Sequence, residues 1–208
     1  MTLDPEDLIN SIMASLDRVD FIKPGDIPGI ELYVDQVTAF LDKRLKNTAR
    51  HQGDERIITK TMINNYAKNR LLPPPEKKKY GKEHILILIF IYYFKNILSI
   101  SDIQDMLGPL TERYFGKDGD MTIASIYEEA TAMGNAQLEG LKEDVMKKYR
   151  ASAEAFKDAE EGDEQEFLQL FSFICMLAFD VYVKKLMIEK IIDGYKEKNE
   201  KKDKKGKK

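Results

Sequence analysis

Apolar side chains recur at intervals of three and four along most of this chain, the spacing that lines one face of a helix. Asp4-Pro5-Glu6 reads as an N-cap, a proline at the first helical position and a first-turn carboxylate. The helix that follows carries Ile9, Ile12, Met13 and Leu16 on one stripe, and PGDIPG at 24–29 breaks it. A second helix, over 31–46, has Val34, Val37, Leu41 and Leu45 inward; a polar loop leads from it to Thr59, which caps a third. Pro73-Pro74-Pro75 stops the third, and KKKYG reads as a short extended excursion or hairpin tip. From Glu83 to Ile97 the pattern is apolar almost all round, so this helix belongs in the centre of the fold. Ser99 and Asp102 open the next helix as a capping box, with GPL and YFGKDGDM as the breaks after it. Two long helices, over 122–157 and 166–195, with DAEEGDE as the turn between them, complete the pattern. The expected fold is all-α, with at most a minimal β wing.

Composition narrows the class. A chain of 208 residues with 43% hydrophobic and 33% charged residues can bury a core and is not a disordered segment. Cys175 is the single cysteine and lies in an apolar run, which excludes a disulfide framework and reads as a buried, inert thiol. Residues 85–94 are too few to cross a bilayer. The run 167–183 holds Gln169 and Asp180, so it reads as a buried or interfacial helix, with no membrane partner expected. The acidic N-terminus carries no signal-peptide pattern, and the cytoplasm is the expected compartment. His51 and His84 are isolated, no Gly-rich phosphate loop or nucleophile–base pair is visible, and the acidic residues 160–166 read as a solvated turn. No enzyme activity, metal or cofactor is expected.

Charge is unevenly spread. Between Lys60 and Lys82 seven basic residues face Glu76 alone, and from Lys196 to Lys208 eight lysines face three carboxylates, although the chain as a whole stands at −3. A basic patch on an acidic body can hold a polyanion at one place. Wound at about 100° per residue, the helix after Thr59 puts Lys60, Thr61, Asn64, Asn65 and Lys68 in one arc, with Met62, Ile63, Tyr66 and Ala67 opposite. Amides, a hydroxyl and ammoniums with no carboxylate among them suit a nucleic-acid groove. An ordinary solvated helix face carries the same residue types.

The order of signals sharpens the choice. Met62-Ile63-Asn64-Asn65-Tyr66, then Arg70-Leu71-Leu72-Pro73, then Lys78-Lys79-Tyr80, then Ile97-Leu98-Ser99-Ile100-Ser101-Asp102-Ile103 resembles the winged helix-turn-helix of the MerR family of transcriptional regulators. With IELYVDQVTAFLD, the chain also resembles an uncharacterised bacterial family that carries this MerR-like element. Asn64-Asn65 stand where that family's recognition helix has Arg-Tyr, the wing is shorter, and the connection 45–59 exceeds the usual three or four residues. The resemblance implies a DNA-binding domain over 1–110 and a helical dimerisation or sensing region over 111–195; the low-complexity lysine run reads as a disordered basic tail over 196–208. It implies duplex DNA as partner. Asn64 and Asn65 would read adenine edges and Lys60, Lys68, Lys77, Lys78, Lys79 and Lys82 would contact phosphates. Thr61 would lie on the same face, and Tyr80 would pack the wing base with its hydroxyl available to a phosphate. A homodimer would present two such helices to a two-fold site. The aromatic and Met-rich last helix would serve as core, as dimer surface or as a pocket for an apolar effector. The competing function is a helical adaptor that uses the same scaffold for protein partners.

Overall fold

The computed structural model describes residues 5–17, 21–46, 57–159 and 162–206, and it is mostly α, with one two-stranded sheet of two residues per strand among them. The helices are α1 (Pro5–Leu16), α2 (Val34–Leu45), α3 (Lys60–Lys68), α4 (Lys82–Phe94), α5 (Ile100–Tyr114), α6 (Ile123–Ala136), α7 (Leu138–Ala153) and α8 (Asp163–Gly206), with a 3-10 turn at Pro24–Asp26. The strands are β1 (Leu32–Tyr33) and β2 (Lys79–Tyr80). The polar loop read at 47–56, His51 included, lies outside the described residues.

Two compact units divide the chain. One comprises Ile22–Ala130 with Ile188–Lys208. Its core is α4: Ile85, Leu86, Ile87, Leu88, Ile89 and Ile91 are all at 0% exposure, surrounded by Val37 and Leu41 of α2, Ile63 of α3 and Ile103 of α5. A helix apolar on every side has no solvent face to offer, so it is packed on all sides. Lys95 extends this core outward: its ammonium donates to the Ile57 carbonyl at 2.7 Å and lies 5.3 Å from the Tyr92 ring, with burial lowering its pKa. The other unit comprises Met1–Phe21 with Thr131–Met187, and its smaller core is Ile9, Val145 and Phe173, edged by Ile12, Met13, Tyr149 and Leu177. Lys148 joins Asp144 and Asp180 there, and Lys142 joins Asp17 and Glu139.

Four expectations are corrected. The second helix starts at Val34, not at 31, because Leu32 and Tyr33 are spent on pairing antiparallel with Tyr80 and Lys79. Gly108-Pro109 does not end α5, which runs through it to Tyr114. Proline there withholds a donor from the Asp105 carbonyl, but Met106, Leu107, Leu110 and Tyr114 on both sides pack on the core and hold the helix across it. The helix expected over 122–157 is two, parted at Gln137, whose N–H tightens onto the Gly134 carbonyl at 3.2 Å. Its halves serve different cores: Ile123 and Tyr127 join the α4 cluster, Val145 the other. A Cβ at Gly134 would sit 3.2 Å from the Phe21 ring, so that ring would have to give by a few tenths of an ångström to admit a larger residue at the break.

The fourth concerns α8. Of the two readings of the run 167–183, buried or interfacial, the buried one fails: Phe173 is buried, but Phe167, Phe171, Phe179 and Tyr182 are exposed. Over Asp163–Lys198 the helix is long and apolar enough to cross a membrane by length and composition, with 6% of its most apolar window buried. Cys175 on it is half-buried.

Candidate nucleic-acid interface

Thr59 starts α3 by accepting the Met62 N–H on its hydroxyl at 3.1 Å, satisfying one of the donors a helix start leaves open. From that start the winding follows directly. Ile63 and Tyr66 are buried, Met62 and Ala67 half-buried, and Lys60, Thr61, Asn64, Asn65 and Lys68 all exposed. α3 packs on α2. The Ile57 N–H, two residues ahead of the cap, is held by the Asp42 carboxylate of α2 at 3.1 Å. At the far end the Leu71 and Leu72 N–H groups both donate to the Tyr66 carbonyl, and Gln104 donates to the Asn69 carbonyl at 3.2 Å. The amide-and-ammonium face is therefore clamped at both ends, which a loose surface helix would not be.

The lysine loop is built on β2. Glu76 and Lys79 pair across the tip, with the Lys79 N–H on the Glu76 carbonyl at 2.8 Å. Between them Lys77 and Lys78 sit at φ +48° and +65°, and Arg70 ahead of the prolines at +58°. This left-handed region costs a residue with a Cβ roughly 1–2 kcal/mol. Glycine would fit each position at lower cost, yet three exposed cations stand there. The pairing of β2 with β1 over-determines the strained tip.

His84 anchors the base of the loop. Its Nδ1 accepts the Gly81 N–H at 3.1 Å, so its proton is on Nε2, directed to the Pro74 carbonyl at 3.4 Å. One ring thus ties the chain entering the loop to the chain leaving it. Tyr80 and Phe115 stand edge-on to it, at 5.4 and 4.7 Å between centroids. Burial lowers the imidazole pKa, against the opposing pull of the Pro74 hydrogen bond and of Glu83 and Glu31.

Three of the sequence-derived site residues stand differently from their expected roles. Tyr80 is 3% exposed and burial raises its pKa, so it packs the loop base and its hydroxyl is not offered to a phosphate. Lys60 is ion-paired with Asp35 of α2, a carboxylate that α3's own pattern could not reveal. Lys79 lies 5.7 Å from the Tyr33 ring, its stem half-buried. Lys68, Lys77 and Lys78 are exposed cations, Lys82 is half-buried at the start of α4, and Asn64 and Asn65 face solvent. Arg70 joins this set although its residue type alone did not single it out; the Pro triplet after a helix end is the signal that marks such a turn.

Residues 22–130, more than half of the chain, match the family model described as a domain of unknown function, DUF1836. The chain belongs to the DUF1836 family. The match has the same bounds as the first segment of the α4-centred unit, so every residue of the α3 face and the lysine loop falls within the family region. No curated protein and no solved structure matches the chain.

Elsewhere, among the described residues no group of three His, Cys, Asp or Glu side chains is placed to hold a metal ion. In the α4-centred unit a cavity of about 390 Å³ opens between α5 and the end of α8. Met106, Leu110, Tyr114, Ile188, Ile191 and Tyr195 line it, with Asp105 and Arg113; Asp105 is bound by Lys196 at 2.8 Å.

Proposed function

We propose that this DUF1836 protein regulates transcription by binding duplex DNA through α3 and the lysine loop, in the manner of a MerR-like winged helix-turn-helix. The observation that carries the reading is the joint presentation of two features. One is the exposed row Thr61, Asn64, Asn65 and Lys68. The other is a loop that holds Lys77 and Lys78 outward in strained backbone. Strain of this kind is kept where the surrounding structure enforces it, and it clusters at functional sites. Asn64 and Asn65 each bring the donor–acceptor pair that binds adenine N6 and N7, worth about 1–3 kcal/mol of discrimination per good contact. The exposed Lys60–Asp35 pair contributes little to stability, so a phosphate can replace the carboxylate at small cost. The cavity between α5 and α8 is the place for an apolar effector in this scheme.

Fluorescence anisotropy on duplex DNA across a salt series tests it. About five neutralised phosphates give a slope of log K against log salt near −4 to −5. Lys77→Gly/Lys78→Gly separates function from folding. It relieves the left-handed strain and leaves the protein at least as stable, yet should weaken DNA binding and flatten the slope by about two. Asn64→Ala should relax base preference and spare non-specific affinity. DNA retention indifferent to all three changes and to salt would sink the reading. The adaptor alternative would then gain, since Asp35 beside Lys60 makes a mixed-charge surface suited to a protein partner.

A further inference from the structure

The strained loop that carries Lys77 and Lys78 is closed at its base by one side chain. The His84 ring takes the Gly81 N–H on Nδ1 at 3.1 Å and directs Nε2 to the Pro74 carbonyl at 3.4 Å, bridging the two sides of the tip. Only the neutral imidazole can do both, since it has one donor and one acceptor nitrogen. The protonated ring has two donors and no acceptor. The bond to Pro74 survives protonation, but the Gly81 N–H loses its partner and meets an N–H of the ring instead. Gly81 follows Tyr80, which β2 pairs with Leu32 of β1, so the lost bond lies at the end of the strand that fixes the tip.

The surroundings of the ring set when this happens. His84 is buried, and burial moves its titration below the ordinary value of about 6.5, so the ring is neutral at pH 7. The charged groups acting on it are Glu83, whose carboxylate accepts the Gly116 N–H at 2.7 Å, and Glu31; both favour the proton. From β2 and from the segment after α5 it meets the rings of Tyr80 and Phe115. His51 is the one other histidine of the chain, and histidine is the side chain that ordinarily changes charge between pH 5 and 8. We infer that His84 is a proton-operated latch: one proton taken up at Nδ1 frees the Gly81 end of the lysine loop and releases Lys77 and Lys78 from their fixed positions. The consequence for DNA rests on the reading of this loop as a phosphate-binding element, and it has a distinctive sign. A new cation beneath the loop would by itself draw a polyanion closer, whereas an opened latch weakens binding in acid.

Fluorescence anisotropy of the full-length protein on duplex DNA, between pH 7.5 and 5, reads the latch. Affinity should fall at least tenfold in acid, and the slope of log K against log salt should flatten by up to about two as the two lysines disengage. His51→Gln should follow the native curve. His84→Gln offers an acceptor and a donor at every pH and should bind with little pH dependence, while His84→Leu should bind weakly throughout. Lys77→Gly/Lys78→Gly, which has no loop cations to release, should lose most of the pH response. Amide exchange of the native protein without DNA locates the event. Gly81 should lose at least tenfold of its protection over the same range, while Ile87 and Leu88 of α4 keep theirs, which separates the latch from general unfolding. Tighter binding in acid, a native curve as flat as that of His84→Gln, or unchanged Gly81 protection would each overturn the inference. DNA binding absent at every pH would sink the proposed function instead, and Gly81 exchange would then decide the latch alone.

Discussion

α4 and the first half of α8 are written in nearly the same language. Both are rich in Ile, Leu, Phe and Tyr, with few polar residues once the first turn is passed, and each would pass for the centre of a protein. Their fates are opposite. Every residue from Ile85 to Ile89 is sealed from solvent, whereas Phe167, Phe179 and Tyr182 are each more than 60% exposed. The contrast teaches that an all-round apolar helix states a need for cover without naming its source. α4 is covered by its own chain, because α2, α3, β2 and α5 arrive from both sides in sequence and close around it. α8 has α7 and α1 on one side of its first half and, among the described residues of its unit, nothing over Phe171 and Ile174.

The largest effect that can break this comparison is a cavity in α4. Leu86→Ala should cost about 2–5 kcal/mol in urea unfolding, because the packed surroundings cannot collapse into the space. A value under 1 kcal/mol would mean that α4 is no more buried in solution than α8. Next in size is Thr59→Ala on α3, the helix that is half covered. Loss of the cap should cost about 1 kcal/mol and weaken DNA binding with it, as the face of α3 depends on where the helix starts. A smaller, pH-linked effect comes from His84, the ionisable group sunk among the apolar residues of α4. Its folded pKa lies below the ordinary value of about 6.5, so above that pH both states are neutral and it contributes no pH dependence. As pH falls through 6.5 the unfolded chain takes up the proton first. Stability is then lost progressively, until the folded pKa is passed. Protonation would also put an Nδ1–H against the Gly81 N–H. Denaturation midpoints from pH 7.5 to 5, compared with those of His84→Gln, check this; parallel curves would show that the buried ring does not titrate. The smallest effect is Phe179→Ser on α8, within about 0.5 kcal/mol, as for any exposed position. A large loss there would mean that the outer side of α8 is covered after all.

Much of the candidate site is legible before any coordinates. Thr59 as cap, the split of α3 into two faces, the stop at Asn69–Leu72 and the turn at KKKYG all follow from local rules: cap chemistry, 3.6-residue periodicity and the proline triplet. Ser99 and Asp102 form their capping box for the same reason. What escapes is non-local. Asp35 meets Lys60 because α2 packs on α3, and Tyr80 turns inward because β2 finds β1 more than forty residues upstream. Two-residue strands are too short to show an alternation, so the pairing of β2 with β1 could not be read from pattern. Pro109 misleads in the other direction, since a local breaker is overruled by the packing of its neighbours.

By itself the sequence determined most of the helices, the caps at Thr59 and Ser99 and the polar face of α3, because each depends on residues within a turn or two of one another. Only the tertiary structure decided which apolar surfaces are closed by the chain and which are left open. It also decided which lysines are already partnered and that the loop tip bears its cations in left-handed backbone. Those outcomes depend on contacts between segments far apart in the chain, whose meeting is set by the packing of the whole and by no local stretch of residues.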